Sequence, residues 1–103
     1  MNRLEFAQLL SSKSPNLETK DIIINFFDQY MFMYDFLDNV DDIFIINTDE
    51  NNISFQLLFN DADDAECTLN KLNGIYTINI YENNYRISCG CLNEYTIIVT
   101  ISR

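Results

Sequence analysis

The spacing of hydrophobic residues changes near residue 43, and this change constrains the fold more than any other feature of the sequence. In residues 18–40 the apolar positions recur at intervals of three and four, whereas much of the later chain alternates apolar and polar residues. A period of 3.6 residues is typical of an α-helix and a period of two is typical of a β-strand. We therefore expect helices at the start of the chain and a sheet in most of the remainder.

Two helices are predicted before residue 41. Asn2 and Glu5 have the pattern of a capping box, and a short amphipathic helix follows until the Ser-Lys-Ser-Pro stretch at 12–15. Ser14 is the predicted N-cap of the second helix, with Pro15 at its first position, where a missing N–H costs nothing. One side of this second helix is apolar and carries Ile23, Phe26, Tyr30, Met33, Leu37 and Val40.

A row of acids at seven-residue intervals crosses the same segment: Asp21, Asp28, Asp35 and Asp42. Seven residues are about two helical turns, so the row predicts a solvent-facing acidic stripe. Phe32 lies about 40° to 60° around the helix from Asp28 and Asp35, with Phe36 at the margin of that sector.

These aromatic side chains have two interpretations. Either the first helix or the sheet edge covers them, or they form an exposed anchor that carboxylates surround. The exposed arrangement suits a partner rich in Lys and Arg. In that case the partner-binding residues are Asp21, Asp28, Phe32, Asp35, Phe36, Asp38 and Asp42.

Five strands and a third helix are predicted after residue 42. Residues 43–48 and 53–59 flank turn-forming residues and predict a β-hairpin, and residues 60–74 predict a helix that Gly74 ends. Three further strands, at 76–81, 85–89 and 95–101, predict an antiparallel meander. The expected fold is a single α+β domain of residues 1–103, in the order ααββαβββ, with helices packed on one face of a mainly antiparallel sheet.

The residue types exclude most catalytic chemistry. The chain has no histidine and only two glycines, so it lacks the commonest general base and any glycine-rich phosphate loop. Cys67, Cys89 and Cys91 are one ligand short of a tetrahedral zinc site, and Cys89 and Cys91 are expected to be core-facing thiols on one strand. We predict that the protein is not an enzyme and has no cofactor, metal or catalytic residue.

A second acidic group superficially resembles a calcium-binding loop: Asp61, Asp63, Asp64 and Glu66. A calcium loop of that type needs Gly at its sixth position and Glu at its twelfth, where this chain has Glu66 and Leu72. The acids instead suit the N-terminus of a helix, where negative charge complements the helix dipole.

The formal net charge of −10, from 16 acidic and 6 basic residues, opposes binding to nucleic acid and to anionic membranes and favours a basic protein partner. No stretch approaches the 18 consecutive apolar residues of a spanning helix. The N-terminal apolar run, interrupted by Glu5 and Gln8, is unlike a secretory signal. Together with an odd cysteine count, these features predict a cytoplasmic protein with reduced thiols.

Three functions fit such a surface. In size, charge and Asn- and Ile-rich composition the chain is similar in kind to immunity proteins of bacterial toxins, including nucleases of contact-dependent growth inhibition. The alternative is a phage-encoded inhibitor of a host defence nuclease, such as an anti-CRISPR protein or a nucleic-acid mimic. A second alternative is a structural or regulatory subunit that dimerises through its last strand, residues 95–101.

Overall fold

A computed structural model describes residues 2–13, 15–30, 34–35, 37–48 and 52–103, with only the backbone of residues 47 and 48. These residues form three α-helices, one 3-10 helix and a five-stranded sheet. The α-helices are α1 (Arg3–Ser12), α2 (Leu17–Gln29) and α3 (Ala62–Leu72), and the 3-10 helix is Leu37–Asn39. The strands are β1 (Val40–Thr48), β2 (Asn52–Phe59), β3 (Thr77–Ile80), β4 (Asn83–Asn93) and β5 (Thr96–Ser102).

All neighbouring strands pair antiparallel, in the order β1-β2-β5-β4-β3. The α+β class, the β1–β2 hairpin and the β3–β4–β5 meander are confirmed. The last strand, β5, lies at the centre of the sheet, with β2 on one side and β4 on the other. The prediction of a homodimer that pairs through this strand is therefore wrong, because neither of its edges is free.

The helices cover one face of the sheet. Every second residue of β2 is buried on this face, and the ring of Phe27 from α2 lies 6.0 Å from the ring of Phe55 between centroids. α1 packs on α2, with the ring centroids of Phe6 and Phe27 4.4 Å apart. α3 contributes Ala65 and Leu72 to the same core. On the opposite face Phe44 and Ile46 of β1 are 43% and 50% exposed, so the described helices leave this part of the face uncovered.

The second helix is shorter than its apolar pattern predicts. It ends at Gln29, because Tyr30 has φ −123° and ψ 67°, and Val40 is already the first residue of β1, paired with Phe59. Leu37 and Val40 are nevertheless buried in the core. A 3-10 turn and a strand thus bury Leu37 and Val40, which one long helix would also have buried.

The start of the second helix also differs from the prediction. Its N-cap is Asn16, whose side-chain oxygen accepts a hydrogen bond from the Thr19 N–H at 2.8 Å. Pro15 therefore precedes the cap, and Ser14 lies outside the described residues. The first helix begins as predicted, with the Asn2 side chain accepting from the Glu5 N–H at 2.9 Å. No helix within the described ranges has the length and apolar character needed to cross a membrane.

Candidate partner-binding surface

The predicted acidic row does not form a stripe on one helix. Asp21 and Asp28 lie on α2, whereas Asp35 follows the end of that helix and Asp42 lies on β1. The prediction is wrong because the helix that would align the four acids ends at Gln29. Of the four side chains, those of Asp21 and Asp35 are exposed.

Asp28 is held inside a hydrogen-bonded group. Its carboxylate accepts from the Arg3 Nε at 3.0 Å and 3.1 Å and from the Tyr34 hydroxyl at 2.6 Å. Burial, together with the hydrogen bond to Asp28, raises the pKa of Tyr34 well above its usual range. Asp28 therefore joins α1, α2 and the segment around Tyr34, and its charge is already balanced by Arg3.

Asp42 is also engaged within the fold. Its Oδ1 is 2.7 Å from the Lys13 Nζ and accepts from the Ile43 N–H at 2.8 Å. The hydrogen bond from Lys13 and then that from Ile43 lower the pKa of Asp42 below its ordinary value. Lys13 also lies 5.2 Å from the centroid of the Phe44 ring, so this ion pair ties α1 to the uncovered face of β1.

The predicted aromatic anchor is not tested by the structure. Phe32 and Phe36 lie outside the described residues, and their role stays a prediction. Asp38, the remaining residue of the predicted set, is exposed in the 3-10 helix immediately before β1. It belongs to a different group of acids from the predicted helical row.

Three acidic segments meet at the end of the sheet where β1 begins. Val40 pairs with Phe59 at the end of β2, Leu58 pairs with Thr96 at the start of β5, and Thr96 pairs with Asn93 at the end of β4. We call this region the acidic end. Its segments, residues 37–41, 59–66 and 92–96, contain no Lys or Arg and carry Asp38, Asp41, Asp61, Asp63, Asp64, Glu66 and Glu94.

Local hydrogen bonds fix the backbone of the acidic end. Asp61 caps α3 by accepting from the Asp63 N–H at 2.7 Å, so this segment is the predicted helix N-terminus. In the β4–β5 turn, the Asn93 side chain accepts from the Tyr95 N–H at 2.9 Å. The Tyr95 carbonyl in turn accepts from the Phe59 N–H at 2.8 Å, which joins the turn to the end of β2.

A cleft of about 450 Å³ lies within the acidic end, between α3 and the β4–β5 turn. Ala65 and Ile97 are buried and form its floor with the half-buried Leu69, whereas the exposed Glu66 and Glu94 stand at its rim. The remaining residues that line this cleft are Ala62, Asp63, Asn70, Cys91 and Asn93. The cleft thus combines an apolar floor with a negatively charged opening.

Exposed apolar side chains accompany the acids in the β4–β5 turn. Leu92 is 55% exposed and Tyr95 is 42% exposed, on either side of Glu94. A large exposed apolar side chain next to carboxylates is the arrangement that was predicted around Phe32. In the described residues it occurs at this turn, and also where Leu17, 78% exposed, precedes Glu18 and where Tyr81, 69% exposed, precedes Glu82.

The cysteines differ in their surroundings. Cys89 packs against the core, and burial raises the pKa of its thiol to about 11. Cys91 is exposed and lines the cleft beside α3. The prediction of two core-facing thiols is therefore wrong for Cys91. Cys67 is exposed on α3. Nowhere in the described ranges do three or more His, Cys, Asp or Glu side chains come together as a metal site.

The sequence indicates the β4–β5 turn, but it does not indicate that this turn lies beside the start of α3. Asn93 and Glu94 stand between two apolar alternations, which is typical of a turn, whereas Tyr95 was predicted to begin the last strand; in the structure Tyr95 lies in the turn and β5 begins at Thr96. That the turn lies beside the start of α3 depends on the strand order, which the sequence leaves open.

No protein-family model, no curated protein and no solved structure matches the chain. Its function is therefore inferred from the acidic end and the cleft.

Proposed function

We propose that the protein is a small acidic binding protein that neutralises a basic protein partner. The observation that carries the proposal is the acidic end, where three acidic segments without Lys or Arg lie at the same end of the sheet as the exposed Leu92 and Tyr95. This combination suits protein recognition because charge accelerates the encounter and a desolvated aromatic residue slows dissociation. The role requires no catalysis, cofactor or metal.

The class of partner follows from the charge. An immunity protein against a bacterial toxin, such as a contact-dependent growth inhibition nuclease, must bind a domain whose nucleic-acid site is basic. A few well-placed acids and an apolar anchor are sufficient for that purpose. We also propose a cytoplasmic location, where such a toxin acts and where the free cysteines would stay reduced.

One observation favours the alternative of a phage-encoded inhibitor that mimics nucleic acid. Duplex DNA carries one charge about every 1.7 Å along its axis, so a mimic needs closely grouped carboxylates. Asp38 and Asp41 lie at the same end of the sheet as the Asp61–Glu66 segment, which itself carries four acids within six residues. Asp49 and Glu50, which mimicry would also use, lie outside the described residues.

Affinity capture from the native host, followed by competition, tests the proposal. We expect a partner with a basic binding face, captured at low salt and released as ionic strength rises. Displacement of the partner by an excess of duplex DNA or RNA would favour the nucleic-acid mimic, whereas tight binding of one toxin domain that nucleic acid does not displace would favour the immunity protein. A captured partner with an acidic binding face would contradict the proposal.

A further inference from the structure

We propose that the cleft between α3 and the β4–β5 turn receives an arginine side chain of the basic partner. This inference rests on the proposed function and adds to it a specific pocket and the residue type that fills it. The floor of the pocket is apolar, the rim is acidic, and the volume of about 450 Å³ accommodates one long side chain with part of its backbone.

The floor matches the aliphatic part of an arginine. Ala65 and Ile97 are 4% and 1% exposed, and Leu69 packs against the same core. The methylene groups of Arg gain from contact with such a surface while the charged group stays at the opening. A small inorganic cation would gain nothing from this floor.

The rim matches the guanidinium group. Asp63 and Glu66 project from α3, and Glu94 comes from the facing turn, so carboxylates approach the opening from two sides. They do not form a metal-binding group among the described residues. A planar guanidinium is larger than a metal ion, has five N–H donors and is more weakly hydrated than the ammonium of lysine. Arginine is therefore the cation that fits both the two-sided acidic rim and the apolar floor.

The charge of the surrounding surface excludes an anionic ligand. The segments that form the acidic end carry no Lys or Arg. A phosphate or carboxylate ligand would enter a negative potential, and none of the described residues that line the cleft is Lys or Arg. The apolar floor of the cleft is thus accessible mainly to neutral or cationic groups.

Amide NMR titration with capped tripeptides tests the inference on the full chain. The probe is acetyl-Ala-Arg-Ala-amide, compared with the lysine peptide and with a citrulline peptide that keeps the shape and loses the charge. We expect saturable shifts at Leu69, Cys91 and Ile97 with the arginine peptide, and at least tenfold weaker binding of the citrulline peptide. Equal binding of the arginine and lysine peptides would overturn the assignment to arginine.

Charge-neutral variants with a matched control locate the site. Glu66→Gln and Glu94→Gln should each weaken binding of the arginine peptide about three- to tenfold. Glu82→Gln, in the β3–β4 turn at the other end of β4, makes the same change in net charge and should leave the affinity unchanged. An equal effect of Glu82→Gln and Glu94→Gln would mean that the peptide senses net charge only, and it would overturn the cleft as the site.

The two exposed cysteines give an independent readout. Cys91 lines the cleft, whereas Cys67 is exposed on α3 and does not line it. Saturating arginine peptide should slow iodoacetamide labelling of Cys91 at least threefold and leave that of Cys67 unchanged. Equal slowing of both, or of neither, would overturn the inference. The proposed function fails separately, if the captured partner has an acidic binding face.

Discussion

At the scale of single residues, the Asp28 carboxylate joins two parts of the chain that are distant in sequence. It accepts hydrogen bonds from Arg3 on α1 and from the buried Tyr34, which follows α2. Asp35, seven residues later, is exposed. Two acids at equivalent positions of a sequence pattern therefore have different roles.

Asp28→Asn should destabilise the fold, whereas Asp35→Asn should not. We expect a loss of about 1–2 kcal/mol for Asp28→Asn, mainly through the hydrogen bond to buried Tyr34, and a change within about 0.5 kcal/mol for Asp35→Asn. Urea unfolding of both variants measures the difference. Equal stability of the two variants would show that the group around Asp28 contributes little to the fold.

Asp42 should make stability depend on pH at the acid end of the scale. Its pKa is lowered in the fold by Lys13, so its contribution is present above the ordinary Asp value of about 3.9 and is lost as pH falls through the lowered value. Asp42→Asn should therefore cost about 0.5–1 kcal/mol at pH 6, with the difference from the parent shrinking below pH 4. Denaturant unfolding of the parent and the variant at pH 6 and below pH 4 measures this. A difference in unfolding free energy that stays the same at both pH values would contradict it.

At the scale of secondary-structure elements, the position of β5 determines which strands can open. β5 is hydrogen-bonded to β2 and to β4, whereas β1 and β3 form the edges of the sheet. β1 is further interrupted by two register shifts, between Val40 and Asp42 and between Ile45 and Asn47. Local opening should begin at the edges and reach β5 last.

Native-state hydrogen exchange checks this order. We expect the amides of β5 to exchange at least tenfold more slowly than those of β3, which corresponds to about 1.4 kcal/mol in opening free energy. The amides of β2 should exchange at rates similar to those of β5. Fast exchange along β5 would contradict the central position of this strand.

Elements with local signals were predictable from the sequence, and elements without them were not. The N-cap at Asn2 and the alternation in β5 are local, and both predictions are confirmed. The end of α2 has no Gly or Pro to mark it, and Leu37 is buried whether it follows a helix or a 3-10 turn. The helical pattern therefore continued past the end of the helix.

The candidate site was less predictable than the fold. Its residues come from segments that are distant in sequence, and they meet only because β5 pairs with β2 and β4. Glu66 and Glu94 each have an ordinary local explanation, in a helix and in a turn. Their proximity across the cleft is a property of strand order, which no local pattern specifies.

At the scale of the whole molecule, the charge is unevenly distributed. The three segments of the acidic end carry no Lys or Arg, although Lys13 lies beside them in its ion pair with Asp42, whereas Arg86 pairs with Ser102 towards the opposite end of the sheet and Arg103 lies 3.2 Å from Glu18. A positively charged partner would therefore be drawn towards the acidic end before any contact forms. The exposed side chains of Leu92 and Tyr95 would then set how long the complex lasts.

Tyr95→Ala should act on the lifetime of the complex with the captured partner. We expect it mainly to raise the dissociation rate, as loss of an aromatic anchor does, with little change in the association rate. Tyr76→Ala is the matched control, because Tyr76 is 74% exposed and lies outside the acidic end. Equal effects of the two variants would show that Tyr95 is not an anchor.

The association rate with the captured partner, measured against salt for the parent, Glu94→Gln and Glu82→Gln, tests the central claim most directly. Glu94 and Glu82 lie at opposite ends of the 11-residue β4, roughly 30 Å apart and so several Debye lengths at 0.15 M salt. We expect association to slow markedly between 0.01 M and 0.15 M salt, and only Glu94→Gln to slow it further at 0.15 M. An association rate indifferent to salt, or slowed equally by both variants, would contradict it.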